Sequence, residues 1–144
     1  VGAILSDMKI KEKEALEFYG RNLGLTFQIA DDTLDYNSEL KSFGKQIGKD
    51  FYEGKITLPI ILLFQKANTQ ERDKLKKVFS KEKRDEEDFD FTLSLIKQYE
   101  IIKGCYQKAH HYINLASNSL SIFKDCKEKS ILENLTSFSL SREF

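Results

Sequence analysis

The chain has 144 residues, its 23 Lys and Arg balance its 23 Asp and Glu, and charged residues make up 32% of it. A length of this order allows about one modest core, and the neutral balance provides no general field for nucleic acid, so any phosphate site has to be built locally. One proline, no tryptophan and two distant cysteines, Cys105 and Cys126, argue against a disulfide framework or a zinc site. They suit long solvent-washed helices in a reducing, cytoplasmic setting.

In chain order, Asp7 is a candidate cap for a helix carrying Ile10, Leu16, Phe18, Leu23, Phe27, Ile29 and Leu34 at helical spacing, over residues 7–36. A turn-rich stretch follows, with Gly44, Gly48 and Gly54 beside Lys45, Lys49 and Lys55, and reads as an ordered functional loop. Thr57 then reads as an N-cap, with Pro59 tolerated in the first turn of a buried helix. Its apolar run, residues 58–64, is far short of the ~20 residues that cross a bilayer. Asn68 and Glu71 form a capping box for a helix ending near Phe79. A charged linker leads to helices expected over 88–99, 103–123 and 128–140. No repeat or β-alternation occurs, and the fold class expected is all-α.

Chemistry concentrates at Asp31, Asp32 and Asp35. On an ideal helix Asp35 lies about 40° and Gln28 about 60° from Asp31, with Gly20 and Gly24 on the same face. Carboxylates so close repel one another, and a hard divalent ion is the natural remedy. Magnesium takes oxygen ligands, usually one or two from protein carboxylates, and completes its shell with water and substrate phosphate. The two glycines leave room for a ligand along the face, and lysines in the loop can meet phosphate oxygens. Carboxylates, metal and lysines together describe a diphosphate site, although an isolated DDxxD on a helix is more often a solvated acidic patch.

The context is more specific than the motif. The segment running Gly24-Leu-Thr-Phe27-Gln28-Ile-Ala-Asp31-Asp32-Thr-Leu-Asp35-Tyr, then Gly44-Lys45, Gly48-Lys-Asp50 and Glu53-Gly-Lys55-Ile-Thr57-Leu-Pro59, resembles the second aspartate-rich region of trans-prenyl diphosphate synthases. It is most similar to the octaprenyl and related long-chain branch. The resemblance is strong over residues 20–63. It implies the carboxy-terminal part of the isoprenoid-synthase helical bundle, a single partial domain over 1–144. It also implies Mg2+ held by Asp31, Asp32 and Asp35, an allylic diphosphate bound by Lys45 with help from Lys55, and isopentenyl diphosphate lying against Phe27 and Gln28. Asp31, Asp32 and Lys45 would carry catalysis. The family's other DDxxD and its basic residues are not in this sequence, so the chain is expected to be truncated and inactive alone. The full-length enzyme is expected to be a homodimer, or a partner to supply the missing amino-terminal half. The alternative reading is a non-catalytic helical subunit or degenerate gene product that only associates with a partner.

Other features read as structure. His110 and His111 point about 100° apart on a helix, with no further ligand at metal spacing. The acidic run 85–90 lacks the glycine and alternation of a calcium loop and suits a helix start. The aromatic residues Phe79, Phe89, Phe91, Tyr99, Tyr106 and Tyr112 read as bundle core and subunit contact.

Overall fold

The computed structural model describes residues 2–37 and 47–141, with side chains to residue 136. Every regular element among them is helical. They are α1 (Gly2–Leu5), α2 (Ile10–Leu34), α3 (Lys49–Glu53), α4 (Leu58–Lys66), α5 (Thr69–Ser80), α6 (Glu86–Gln98), α7 (Ile101–Ser119) and α8 (Lys127–Ser141), with a 3₁₀ turn at Leu120–Ile122. The described chain gathers into two compact units, residues 1–28 with 108–144, and residues 29–107.

In the first unit, α2 buries Tyr19 and Leu23 with Ile113, Ala116 and Leu120, and Leu16, Phe27, Phe123 and Leu132 pack against them. The Tyr19 hydroxyl donates to the Leu132 carbonyl at 2.8 Å, satisfying the polar end of a ring whose body is buried. Helix α2 starts at Ile10 and not at Asp7. Asp7 has a φ of 52°, a left-handed conformation that breaks the helical path after α1. The start is fixed by Glu12, whose carboxylate accepts the Lys9 N–H at 2.9 Å.

The second unit is built round Phe51, Ile60, Leu63, Leu75 and Ile101, each without measurable exposure. Burying a side chain of this size stabilises by roughly 1.5–3 kcal/mol. Phe51, on the five-residue α3, makes ring contacts with Tyr52, Phe79 and Phe89 at 5.1–5.5 Å. Helix α4 packs on α6. It begins after Thr57 as expected, with Pro59 in its first turn, but the Thr57 side chain makes no capping bond. The Asn68–Glu71 capping box of α5 is present in both directions. Helix α6 starts two residues before the expected Asp88, because Asp85 is the N-cap and Asp88 the third helical residue of a second capping box. Both Asp88 oxygens also accept from Lys81 Nζ at 2.7 Å, so the acidic run is a helix start with its own counter-ion. Helix α7 begins at Ile101 and gives way to the 3₁₀ turn after Ser119.

Candidate active site

The last turn of α2 carries Asp31, which is exposed, and Asp32, which is 9% exposed. That turn holds no basic residue. A helix C-terminus is the negative end of the helix dipole, where cations stabilise and carboxylates do not, each by about 0.3–1 kcal/mol. Two adjacent aspartates there lack the usual electrostatic reason for their position, and a bound cation would supply it.

Asp35 lies beyond the helix, which ends at Leu34. Thr33 Oγ1 bonds back to the Ile29 carbonyl, and the N–H groups of Tyr36 and Asn37 reach back three residues to tighten the last turn. The Asp35 carboxylate faces α3. Oδ1 accepts from the N–H of Gly48 at 3.1 Å and of Lys49 at 3.0 Å, and Oδ2 accepts from that of Asp50 at 2.8 Å. The Gly48 N–H also donates to the Asp35 carbonyl at 2.8 Å. Metal ligation by Asp35 therefore competes with bonds to amides at the start of α3, of which Gly48 alone has the Asp35 carbonyl as a second acceptor.

Two glycines frame α3, and each is required twice over. Gly48 has a φ of 87°, and a Cβ there would come within 2.6 Å of the Phe89 ring. Gly54 has a φ of 76°, and its Cβ would run into the Arg84 guanidinium. Beyond Gly54, Lys55 Nζ meets Asp50 Oδ1 at 2.9 Å and Glu53 Oε2 at 2.7 Å. Hydrogen bonds that the ammonium donates, first to Glu53 and then to Asp50, raise its pKa above the ordinary lysine value and keep it charged. Any phosphate it binds would have to share it with these carboxylates.

The remaining expected residues are placed as follows. Phe27 packs against the core of the first unit, and Gln28 in that unit is exposed. Lys45 lies outside the described residues. Among the described residues no three His, Cys, Asp or Glu side chains come close enough to hold a metal ion. What the structure offers is one exposed and one largely buried aspartate on adjacent positions, hard oxygens that leave most of a coordination shell open. That fits magnesium, which relies on water and substrate phosphate for the rest. Sequence reasoning missed Asp50 and Glu53 as partners of Lys55, although both acids sit within five residues of it. It also missed Tyr36, 1% exposed, whose hydroxyl has no partner among the described residues. Burial, then Asp35, Asp50 and Asp32, push the Tyr36 phenol pKa up, and Arg84 opposes them.

Among the described residues the chain is all-α, and its longest helix ends in paired aspartates ahead of a segment framed by Gly48 and Gly54 that carries Lys49 and Lys55. A polyprenyl synthase from Caulobacter crescentus, solved with calcium and isoprenyl diphosphate, matches with a TM-score of 0.83 at 34% identity, over 99% of this chain and 44% of that one. The Polyprenyl synthetase family model matches residues 1–96, and the chain belongs to that family. A short chain isoprenyl diphosphate synthase from Methanothermobacter thermautotrophicus is 31% identical over 99% of this chain and 43% of its own length. An octaprenyl diphosphate synthase from Haemophilus influenzae is 28% identical, with 99% and 43% covered. The chain thus spans less than half the length of these relatives, and their names cover both short and long products.

Proposed function

We propose that this chain provides one wall of a trans-prenyltransferase site, in which an allylic diphosphate is elongated by isopentenyl diphosphate. In that reaction the allylic C–O bond breaks and its electron pair leaves with the diphosphate. The double bond of isopentenyl diphosphate attacks the carbocation, and a proton is lost. Asp31 and Asp32 hold the cation, with Asp35 behind them. Magnesium bound there would act as a Lewis acid on the leaving diphosphate. Lys45 and Lys55 bind the allylic diphosphate and offset the charge that grows on it. Phe27 and Gln28 lie along the isopentenyl diphosphate. A partner, either a second copy or an amino-terminal half, supplies the opposite wall, and the assembly works in the cytoplasm. The resemblance of the motif region to the octaprenyl and related long-chain branch is the reason for proposing a long, octaprenyl-like product.

The pair of aspartates at the negative end of α2, with no basic residue in that turn, carries this reading. Calorimetry tests it. Pyrophosphate should bind weakly and only with magnesium, and Asp31→Ala should lower that affinity on the order of 100-fold, the upper end of what even an outer-shell change costs a metal site. Elongation should appear only when an amino-terminal half from a relative is added, and Asp31→Ala should abolish it. Metal-independent binding, or rescue indifferent to Asp31→Ala, would leave the chain as a helical subunit that merely associates.

A further inference from the structure

We infer that Asp35 is a positioning residue which seats the 48–55 segment and, through Asp50, sets where the Lys55 ammonium lies, instead of ligating a metal. The inference rests on the diphosphate role proposed for Lys55. An ionised carboxylate has about four lone-pair positions. Three of those of Asp35 are filled by the N–H groups of Gly48, Lys49 and Asp50. Swinging this side chain to a cation would strand the Lys49 and Asp50 amides at the start of a helix too short to satisfy them itself, and would leave Gly48 with only its bond to the Asp35 carbonyl.

Asp50 carries the effect onward. Its N–H is held by Asp35, its carbonyl accepts the Lys55 N–H at 2.9 Å, and its carboxylate meets Lys55 Nζ at 2.9 Å. Main chain and side chain of Lys55 are therefore both tied to a residue that Asp35 fixes. Glu53, at 2.7 Å from the same ammonium, completes the clamp and holds the charge in place until a phosphate displaces it. Asp31, exposed one turn earlier on α2, and its neighbour Asp32 are the aspartates left to meet a cation.

The test uses the full chain with Mn2+ as a stand-in for magnesium and inorganic pyrophosphate as the probe. Asp35→Ala should speed amide exchange at Lys49 and Asp50 by about tenfold or more, the equivalent of losing one charge-assisted hydrogen bond, and less at Gly48, whose N–H keeps the carbonyl of residue 35. It should weaken pyrophosphate binding as much as Lys55→Ala does, and the double variant should lose no more than either single one, the mark of groups acting as a unit. The number of bound Mn2+ should not change, whereas Asp31→Ala should remove Mn2+ and leave the amides protected. Asp35→Asn retains one acceptor oxygen and should show intermediate exchange, which guards against a folding failure in the alanine variant. Unchanged exchange in both Asp35 variants, additive losses in the double variant, or loss of Mn2+ with Asp35→Ala would overturn the inference. Should the wild-type chain bind neither Mn2+ nor pyrophosphate, the function proposed above falls. The exchange result alone then upholds or overturns the seating by Asp35.

Discussion

Replacing Gly48 by alanine should destabilise the protein, while the same replacement at Gly20 should not. At Gly48 the φ of 87° costs an L-residue about 1–2 kcal/mol. The new Cβ would stand 2.6 and 2.8 Å from two atoms of Phe89, a ring 4% exposed and packed on Phe51, so it has little room to give. Overpacking of that kind adds about 1–3 kcal/mol. The lower chain entropy of unfolded alanine returns about 0.4–1 kcal/mol, so a net loss of roughly 2–4 kcal/mol is expected. At Gly20, inside α2, a Cβ meets nothing within 4 Å. There alanine should stabilise by about 0.5–1 kcal/mol through helix propensity. Urea denaturation of both variants with unchanged m-values is the assay, and combining Gly48→Ala with Phe89→Leu should recover the clash but not the backbone cost. A Gly48→Ala variant within about 0.5 kcal/mol of wild type, the scatter of ordinary surface changes, would refute the reasoning.

Two further outcomes follow from other contacts. Lys81, and to a lesser degree the Asp85 N–H, hold the Asp88 carboxyl below its ordinary value of 3.8. A folded-state value depressed in this way gives stability that is complete above the unfolded value and is lost as the pH falls through the folded one. The stability difference between wild type and Asp88→Asn should therefore be constant above about pH 5 and shrink as the pH falls below 4; a difference as large at pH 3 as at pH 6 in thermal melts would exclude the pair as its source. Tyr36→Phe removes a buried hydroxyl with no partner among the described residues and should be neutral or stabilising by about 1 kcal/mol in urea denaturation, since an unsatisfied group bears its desolvation cost without return; a loss of similar size would show that the hydroxyl is bonded.

What the sequence made legible was local. The Asn68–Glu71 capping box lies within three residues and was readable from residue types alone. The helix after Thr57 announced itself through Pro59 and an apolar run. The three aspartates were seen, but the helical wheel carried Asp35 on a helix that ends at Leu34. Its actual partners are 13 to 15 residues away, a separation that no helical period links. A still greater distance in sequence hid Arg84 against Gly54 and Phe89 against Gly48, because the space at each glycine is set by what a remote segment brings up to it. Asp7 failed as a cap for a different reason: its type suits a cap, but a left-handed backbone put it outside the helix.

Crowding Asp31, Asp32, Asp35, Asp50 and Glu53 together would be unfavourable if all faced the same water and the same helix end. The structure divides them by partner. Asp35 is satisfied by main-chain amides, and Asp50 and Glu53 share one lysine. Asp32 is largely buried, and Asp31 is exposed at the negative end of α2. A cation arriving there would relieve the dipole at the helix end and the repulsion between neighbouring aspartates at once, without stripping the amides from Asp35. A phosphate arriving at Lys55 would displace Glu53, whose side chain is 45% exposed, at modest cost for a solvent-screened pair, and less readily Asp50, which is 18% exposed. Cation and anion thus each find counter-charges outside the three amide bonds of Asp35, and neither needs that seat to open.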